Sequence, residues 1–190
     1  MTGGTDSFDS QPVLEGRLVE LRPLRAEDHD ELYAVAADPL IWEQHPVKDR
    51  CEEEGFRIFF REALESGGAL IAIDADTHRV IGSSRFHAYG TDKREVEIGW
   101  TFLARSHWGG SYNREMKQLM LRHAFRFVDS VIFVVGVRNL RSQRAIEKIG
   151  GVRVGSRPDA GGRDSFVYRI TASGFAQQDT DNRTGDSTLD

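Results

Sequence analysis

Residues 95–115 read EVEIGWTFLARSHWGGSYNRE, and this segment sets the architecture that the rest of the chain completes. Its first half alternates in polarity, which predicts a β-strand over 95–103. One face of that strand then carries Val96, Ile98, Trp100 and Phe102, and the other carries Glu95, Glu97, Gly99, Thr101 and Leu103. The second half is a glycine-containing loop, which predicts a turn into a following helix.

The helix after this loop and the strand after that helix complete one supersecondary unit. Apolar residues recur at helical spacing from Met116 to Phe127. Residues 131–137 read VIFVVGV, an uninterrupted apolar run that is typical of a strand buried on both faces. A strand, a helix and a buried strand in this order predict a right-handed βαβ unit whose two strands are parallel.

The flanking sequence adds elements on both sides of this unit. Upstream, the patterns predict strands over about 17–22, 69–74 and 80–87, and helices over about 26–38 and 49–66. Downstream, they predict a helix over about 140–149 and strands over 152–157 and 164–170. Strands that follow one another closely pair antiparallel. The expected fold is therefore α/β, with a mixed sheet of six to seven strands flanked by about four helices.

The chain ends and the composition limit the class of protein. Residues 1–12 and 173–190 are polar, so we expect disordered tails around a single domain over 13–172. The 190 residues carry a net charge of −5, which argues against a nucleic-acid partner. The sequence has no apolar run of about 20 residues and no apolar leader segment, so we expect a cytoplasmic protein without a membrane partner.

Cysteine and histidine offer no pattern for a metal site. Cys51 is the single cysteine, so it forms no internal disulfide, and the acidic run that follows it disfavours a reactive thiolate. The six histidines lack the spacing of metal ligands. His123 lies on the apolar face of its helix, where we expect a core residue. The sequence therefore predicts no metal cofactor.

The loop before the third helix is the first candidate for chemistry. Free amide groups at a helix start form an anion site, and small residues let a diphosphate approach the backbone. Gly109, Gly110 and Ser111 supply those small residues here. Two glycines before a helix are more often an ordinary turn than an anion site, so this loop needs support from other segments.

Three other segments give that support, because together with this loop they resemble the GNAT superfamily of N-acetyltransferases. Residues 96–103 with 108–115 are similar to the family's fourth strand and pyrophosphate loop. Residues 139–150, NLRSQRAIEKIG, resemble a second signature of the Rim-type ribosomal-protein acetyltransferases, and residues 14–24 resemble the first strand of that branch. The resemblance covers roughly residues 14–170. It implies a GNAT fold and acetyl transfer from acetyl-CoA, as cosubstrate, to an amine.

The resemblance also implies which residues bind the cosubstrate. The loop from Ser106 to Asn113 would hold the pyrophosphate, and the pantetheine arm would lie between the two parallel strands. The implied cofactor-binding residues are Thr101, Phe102, Leu103, Ser106, His107, Trp108, Gly109, Gly110, Ser111, Tyr112, Asn113, Asn139 and Arg144. Asn139 would contact pantetheine or cap its helix. Gly136 fits a close backbone approach to the cosubstrate, or else marks a β-bulge.

Two residues are candidates for proton transfer. A protonated amine must lose a proton before it attacks, and Glu97, beside apolar neighbours in mid-strand, is the candidate base, directly or through water. Glu95 competes for this role, and a solvated strand residue is the plain alternative. The resemblance places Ser142 near the sulfur, where it would donate a proton to the departing thiolate. Its helix has no tyrosine that could take this role instead, which favours Ser142. A simple helix-start serine is the alternative.

Other functions remain to be weighed against acetyl transfer. A serine hydrolase would need Gly-x-Ser-x-Gly and a phosphate-loop kinase would need Gly-Lys-Ser/Thr, and neither motif is present. The serious rival is a GNAT-shaped non-catalytic acetyl-CoA sensor or interaction module. It is motivated by Ser106 and Ser111, which stand where the family pattern has Gln or Arg and Gly or Ala. Arg105 or Arg114 could compensate for the lost side chain.

The acceptor amine stays open at this level. A protein N-terminus, as in the Rim-type enzymes, a polyamine-like or amino-acid-like small molecule, and an antibiotic amine are all compatible with the sequence. Trp42, Glu43 and His45 are candidate lining residues on the acceptor side, or else belong to an exposed loop. A homodimer is common in the family and is left open here.

Overall fold

Eight strands form one sheet in the computed structural model, which describes residues 7–177. The strands are Leu14–Glu15 (β1), Val19–Pro23 (β2), Ala69–Asp74 (β3), Val80–Gly90 (β4), Glu95–Leu103 (β5), Ser130–Gly136 (β6), Val152–Pro158 (β7) and Asp164–Thr171 (β8). They lie in the order β1-β2-β3-β4-β5-β6-β8-β7. Only β5 and β6 are parallel, and all other described neighbours are antiparallel. The predicted mixed sheet and its parallel βαβ centre are confirmed.

Helices cover both faces of this sheet. They are His29–Ala36 (α1), Glu53–Glu65 (α2), Ser111–Ala124 (α3) and Leu140–Glu147 (α4). The first two begin later than expected, because 3-10 turns occupy Ala26–Asp28 and Asp49–Cys51. Residues 172–177 are also helical. The sheet has slightly more strands than predicted, because the two-residue β1 is too short to show alternation.

Two apolar clusters, one on each face of the sheet, hold these layers together. The cluster under α3 and α4 includes Met116, Met120 and Ile146 packed against Val96 and Val131. The cluster under α1 and α2 includes Leu32, Phe56, Phe59 and Phe102. Full burial of such a side chain contributes about 1.5–3 kcal/mol each. The sheet is therefore fixed from both sides around its centre, where the two parallel strands run.

A β-bulge in β5 overturns the expected assignment of its faces. Arg85 pairs with Gly99 but Ser83 pairs with Phe102, so β5 contains one extra residue in this interval. Trp100 sits in the bulge with φ of 51°. Beyond it the alternation is reversed, so Leu103 shares the α3 cluster with Val96 and Ile98, whereas Phe102 faces α2. The predicted common face of Val96, Ile98, Trp100 and Phe102 is wrong.

The parallel pairing between β5 and β6 is short. It covers only Glu95–Ser130, Val96–Val131 and Glu97–Ile132. After this point β5 stays paired with β4 up to Leu103, and β6 stays paired with β8 up to Gly136. The two strands therefore cease to pair with each other while each remains part of the sheet. This parting opens a site in the middle of the sheet.

The structure describes only part of the expected tails. Phe8 packs edge-on against Phe86 with ring centres 5.2 Å apart and stacks on Tyr89 at 5.0 Å. Asp9 accepts a hydrogen bond from the buried His123 Nε2 over 2.6 Å. Residues 7–12 therefore pack on the domain, because one aromatic side chain supplies the apolar contact that their polar neighbours lack. Residues 1–6 and 178–190 lie outside the described residues.

None of the helices within residues 7–177 is long and apolar enough to cross a membrane.

Candidate active site

A cavity of about 280 Å³ lies where β5 and β6 part. The sequence-predicted residues that line it are Thr101, Phe102, Leu103, His107, Trp108, Gly109, Asn113, Asn139 and Ser142. Glu97, Ser106, Gly110, Ser111, Tyr112 and Arg144 are not part of its lining. Nine of the sequence-predicted residues therefore lie together around one cavity.

The start of α3 has the features of an anion site. Gly110 is its N-cap residue and supplies no side-chain cap, so the first amide groups of the helix lack intrahelical partners. Gly109 has φ of 72°, and side-chain atoms added at Gly109 or Gly110 would meet nothing within 4 Å in the described part of the chain. The backbone is therefore open to a bulky anion on this side. These residues fit the diphosphate of a coenzyme A molecule.

Asp74, at the end of β3, braces this loop from behind. It accepts a hydrogen bond from Tyr112 Oη over 2.8 Å and lies 3.3 Å from His107 Nε2. The Thr77 amide and the Tyr112 hydroxyl, both donating to Asp74, hold the pKa of its carboxyl well below the usual range. Ser106 bonds to His107 Nδ1 over 2.9 Å. Ser106 and Tyr112 therefore support the loop, and His107 both supports it and lines the cavity.

Trp108 and Arg141 form one wall of the cavity. Trp108 Nε1 donates to the Leu103 carbonyl over 2.9 Å, and the Arg141 guanidinium lies 4.0 Å from the centre of the Trp108 ring. Arg141 also donates to the Ile41 carbonyl over 2.7 Å. This bridge joins α4, the loop after β5 and the segment after α1. No sequence pattern had singled out Arg141.

The turn from β6 into α4 places Asn139 and Ser142 at the cavity. Asn139 Oδ1 accepts from the Ser142 amide over 3.2 Å, so Asn139 caps the helix while lining the cavity. The buried Gln143 donates to the carbonyls of Gly136 and Val137 and closes this turn. No sequence pattern predicted this role. Arg144 is exposed on the outer side of α4.

Gly136 also lines the cavity at this turn. It pairs in register with Ser165 on β8, so no bulge interrupts the strand. Among the described residues, a side chain there would meet only Pro46, at 3.6 Å.

Glu97 lies at the last paired rung before the strands part. It is 8% exposed, and Arg157 donates to its Oε2 over 3.1 Å. Burial raises the pKa of the Glu97 carboxyl, and the Arg157 charge opposes that rise. Its Oε1 lies 3.5 Å from the position of a β-carbon on Gly99, next to the cavity-lining Trp100. Glu95 is occupied by Ser130 and Arg169.

Lys117 is a buried cavity-lining lysine that the sequence reading missed. It is 5% exposed; its Nζ donates to Thr101 Oγ1 and, over 3.2 Å, to Ser84 Oγ. Burial lowers the pKa of Lys117 to about 7. Its spacing to Met120, Leu121 and Ala124 follows the apolar face of α3, and this signal could have identified it.

The opposite wall belongs to the segment after α1. Trp42 and His45 line the cavity as expected, whereas Glu43 is exposed. Arg50 lines it too, with its guanidinium 4.7 Å from the centre of the Phe59 ring. Burial and the Arg50 charge lower the pKa of His45 to about 4, so His45 is neutral at physiological pH. This wall is aromatic and carries a buried cation.

Within residues 7–177, no group of three or more His, Cys, Asp or Glu side chains is arranged to hold a metal ion.

Comparison with known proteins agrees with this architecture. Residues 18–152 match the family model described as an acetyltransferase (GNAT) domain. A solved structure from T. thermophilus, assigned as an acetyltransferase, is 31% identical, with 88% of this chain and 95% of that one covered and a TM-score of 0.70. Among curated proteins, none matches the sequence.

Two more distant structures share the fold and have coenzyme A bound. RimJ of Mycobacterium smegmatis, in complex with CoA-disulfide, is 20% identical, with 82% of each chain covered and a TM-score of 0.60. The spermidine N-acetyltransferase of Vibrio cholerae, in complex with CoA and spermine, is 16% identical, with 85% of this chain and 99% of that one covered and a TM-score of 0.65.

Proposed function

The chain belongs to the GNAT acetyltransferase family, and from that membership we propose that it moves the acetyl group of acetyl-CoA to a primary amine by direct attack in a ternary complex. The observation that carries this proposal is the parting of β5 and β6 beside the uncapped start of α3. That arrangement offers one opening for a narrow acyl carrier and one anion site at its end. Bound acetyl-CoA supplies the activated thioester.

The cosubstrate residues divide into two groups by what they offer. The amides of Ser111, Tyr112 and Asn113, together with Gly109 and Gly110, offer donors and space for the diphosphate. The β5 backbone at Thr101–Leu103, which is not paired with β6, offers hydrogen bonds to an extended amide arm. Lys117 holds the Thr101 side chain beside the bulge, which fixes the backbone in this region.

The proton steps are assigned to two side chains. Glu97, with its raised pKa, accepts the proton of the acceptor ammonium, directly or through a water molecule that reaches it past Gly99. Ser142 lines the cavity from the start of α4 and donates its hydroxyl proton to the departing thiolate. The wall of Trp108 and Arg141 excludes bulk water, which would otherwise hydrolyse the thioester.

The structural neighbours support only a broad class of acceptor. The structural neighbours include a RimJ and a spermidine acetyltransferase, which favour a protein N-terminus or a small amine as acceptor. We further propose that the protein is a Rim-type enzyme, is cytoplasmic and forms a homodimer. It acts without a nucleic-acid partner, a membrane or a metal ion.

Calorimetric titration with acetyl-CoA tests this function most directly, with desulfo-CoA as the comparison ligand. Micromolar binding of both, and release of free thiol only when an amine is added, would support the enzyme. Binding without thiol release across an amine panel would favour the sensor module. No binding of either ligand would refute the enzyme and the acetyl-CoA sensor and leave the non-catalytic interaction module.

A further inference from the structure

Within residues 7–177, two buried arginines without a carboxylate partner lie near the cavity wall formed by Trp42 and His45: Arg50 is part of the cavity lining and Arg85 lies behind it. Arg50 lines the cavity, is 9% exposed, and its guanidinium lies 4.7 Å from the centre of the Phe59 ring and 5.5 Å from the centre of the Trp42 ring. Arg85 is 5% exposed and lies 4.6 Å from the centre of the Trp100 ring. Two of its nitrogen atoms, Nε and one Nη, have no hydrogen-bond partner among the described residues.

The nearby acids in the described part of the chain do not balance these charges. Glu97 is paired with Arg157 over 3.1 Å, and Asp159, at the cavity, is paired with Arg163 over 2.9 Å. Glu62, whose charge reaches both arginines, is exposed and forms no ion pair with either. Each local carboxylate thus has its own cation or stays in solvent, and two positive charges remain.

Keeping two such groups in the protein interior is costly. An unpaired buried charge destabilises the folded state by several kcal/mol, and aromatic contacts return only part of that. Burial, and for Arg50 also the Arg85 charge, lowers the pKa of each guanidinium to about 10, so both stay charged at neutral pH. The aromatic rings offer no conventional acceptor to the N–H donors of the guanidinium groups, so these donors still require a hydrogen-bond partner.

His45 fixes the direction of the Arg50 edge. Arg50 donates from Nη1 to His45 Nε2 over 3.3 Å, and His45 Nδ1 lies 2.9 Å from the Val47 carbonyl. A neutral imidazole with its proton on Nδ1 donates to this carbonyl and accepts from Arg50, and the Val47 amide nitrogen, 3.0 Å from Nδ1, then has no acceptor there. Because His45 also lines the cavity, this bond holds the guanidinium beside the space that an acceptor enters.

We propose that the acceptor is a small amine that also carries a carboxylate, such as an amino acid, and that Arg50, supported by Arg85, binds this carboxylate. The fork of guanidinium donors matches a carboxylate in two hydrogen bonds. Two uncompensated positive charges disfavour a polyamine, and the aromatic enclosure by Trp42 and Trp100 suits a small molecule better than a polypeptide. This inference rests on the proposed acetyl transfer.

The kinetic test compares each standard amino acid with its carboxamide, which has the same shape but no negative charge. The wild-type protein should acetylate at least one free acid with kcat/KM about tenfold or more above its amide. Arg50→Gln should raise the KM for that acid about tenfold and leave the KM for acetyl-CoA unchanged. Arg57→Gln, which alters an exposed arginine of α2, is the control and should change neither constant.

A binding test separates this inference from the proposed function. An N-acetyl amino acid should raise the Tm of wild-type protein and of Arg57→Gln without coenzyme A, but not that of Arg50→Gln. That result would support the carboxylate site even if acetyl-CoA failed to bind. Faster acetylation of amides, of spermine or of peptides with an N-terminal aspartate than of any free acid would overturn the inference while leaving acetyl transfer intact. Acetylation of other amines without acetylation of any free acid would overturn it as well.

Discussion

Arg157 donates to the Glu97 carboxylate over 3.1 Å, from the outermost strand β7 to the rung at which β5 and β6 part. A carboxylate acts as a base only when it is deprotonated, so activity should rise with pH through the pKa of Glu97. Because burial raises that pKa, the ascending limb of kcat/KM should lie above the ordinary range of a glutamate. The pH profile of thiol release measures this limb.

The Arg157–Glu97 ion pair also predicts the direction in which a variant shifts this pH profile. Arg157→Gln removes the positive charge that lowers the Glu97 pKa, so the ascending limb should shift to higher pH. Arg169→Gln, which removes the partner of Glu95, should leave the limb in place. A Glu97→Gln variant with an unchanged profile would exclude Glu97 as the base.

Ser142→Ala tests the proton donor at the start of α4. The loss of a positioned acid should lower kcat by about 10- to 100-fold, whereas acetyl-CoA binding should change little, because the helix cap comes from Asn139. Calorimetry and steady-state kinetics report the two quantities separately. Ser156→Ala, at an exposed position on β7, is the control. Equal kcat values for the two variants would remove Ser142 from the chemistry.

Gly109→Ala tests the loop before α3. The position has φ of 72°, so an added methyl group should cost about 1 kcal/mol of stability and disturb the amides that face the diphosphate. Gly67→Ala provides the comparison, because Gly67 has φ of 61° and equally open surroundings far from the loop. Both variants should lose similar stability, but only Gly109→Ala should bind acetyl-CoA more weakly. Equal affinities would argue against the anion site.

Arg85→Met should stabilise the protein. The substitution removes a buried, unpaired charge and retains apolar contact with Trp100, so the free energy of unfolding should increase by about 1–3 kcal/mol. Denaturant titration measures the change. Arg22→Met is the contrasting control, because it leaves the buried Asp28 without the partner that it binds over 2.7 Å, and it should destabilise. Destabilisation by both variants would mean that Arg85 is compensated in the native state.

Lys117 should make stability depend on pH in the alkaline range. Its pKa falls from 10.5 in the unfolded chain to about 7 in the folded protein, so the unfolded state binds the extra proton between these values. Stability should therefore rise as pH increases from about 7 to 10.5. Lys117→Met should flatten this rise and gain on the order of 2 kcal/mol at neutral pH. Parallel stability curves for both proteins would contradict the lowered pKa of Lys117.

The sequence predicted the elements whose patterns are local. The apolar run 131–137 predicted the central strand, and the helical spacing from Met116 predicted α3. The predicted faces of β5 were wrong beyond Trp100. Alternation assumes an unbroken ladder, whereas the bulge adds a residue that only the register with β4 reveals. The packed position of Phe8 was missed for a similar reason, since its partners lie far away in the chain.

The residues of the candidate site also differ in whether a local sequence pattern predicts them. Residues that belong to a continuous sequence motif, such as Gly109 or Ser142, could be predicted from that motif. Arg50, Arg85 and Arg141 were not, because their significance arises from aromatic rings and carbonyls contributed by other elements. A lone arginine in a sequence is ordinarily solvated, and only packing reveals that its charge is buried.

The short ladder between β5 and β6 has a consequence for solubility. Unpaired strand edges at the rim of a sheet recruit other chains and seed aggregation. Here the backbone of β5 beyond Glu97 forms such an edge in the interior of the sheet, recessed in a cavity of about 280 Å³ behind Trp108 and Arg141. Trp108 Nε1 also occupies the Leu103 carbonyl at the end of this edge over 2.9 Å. The fold thus keeps a hydrogen-bonding edge for a slender partner and shields it from other proteins.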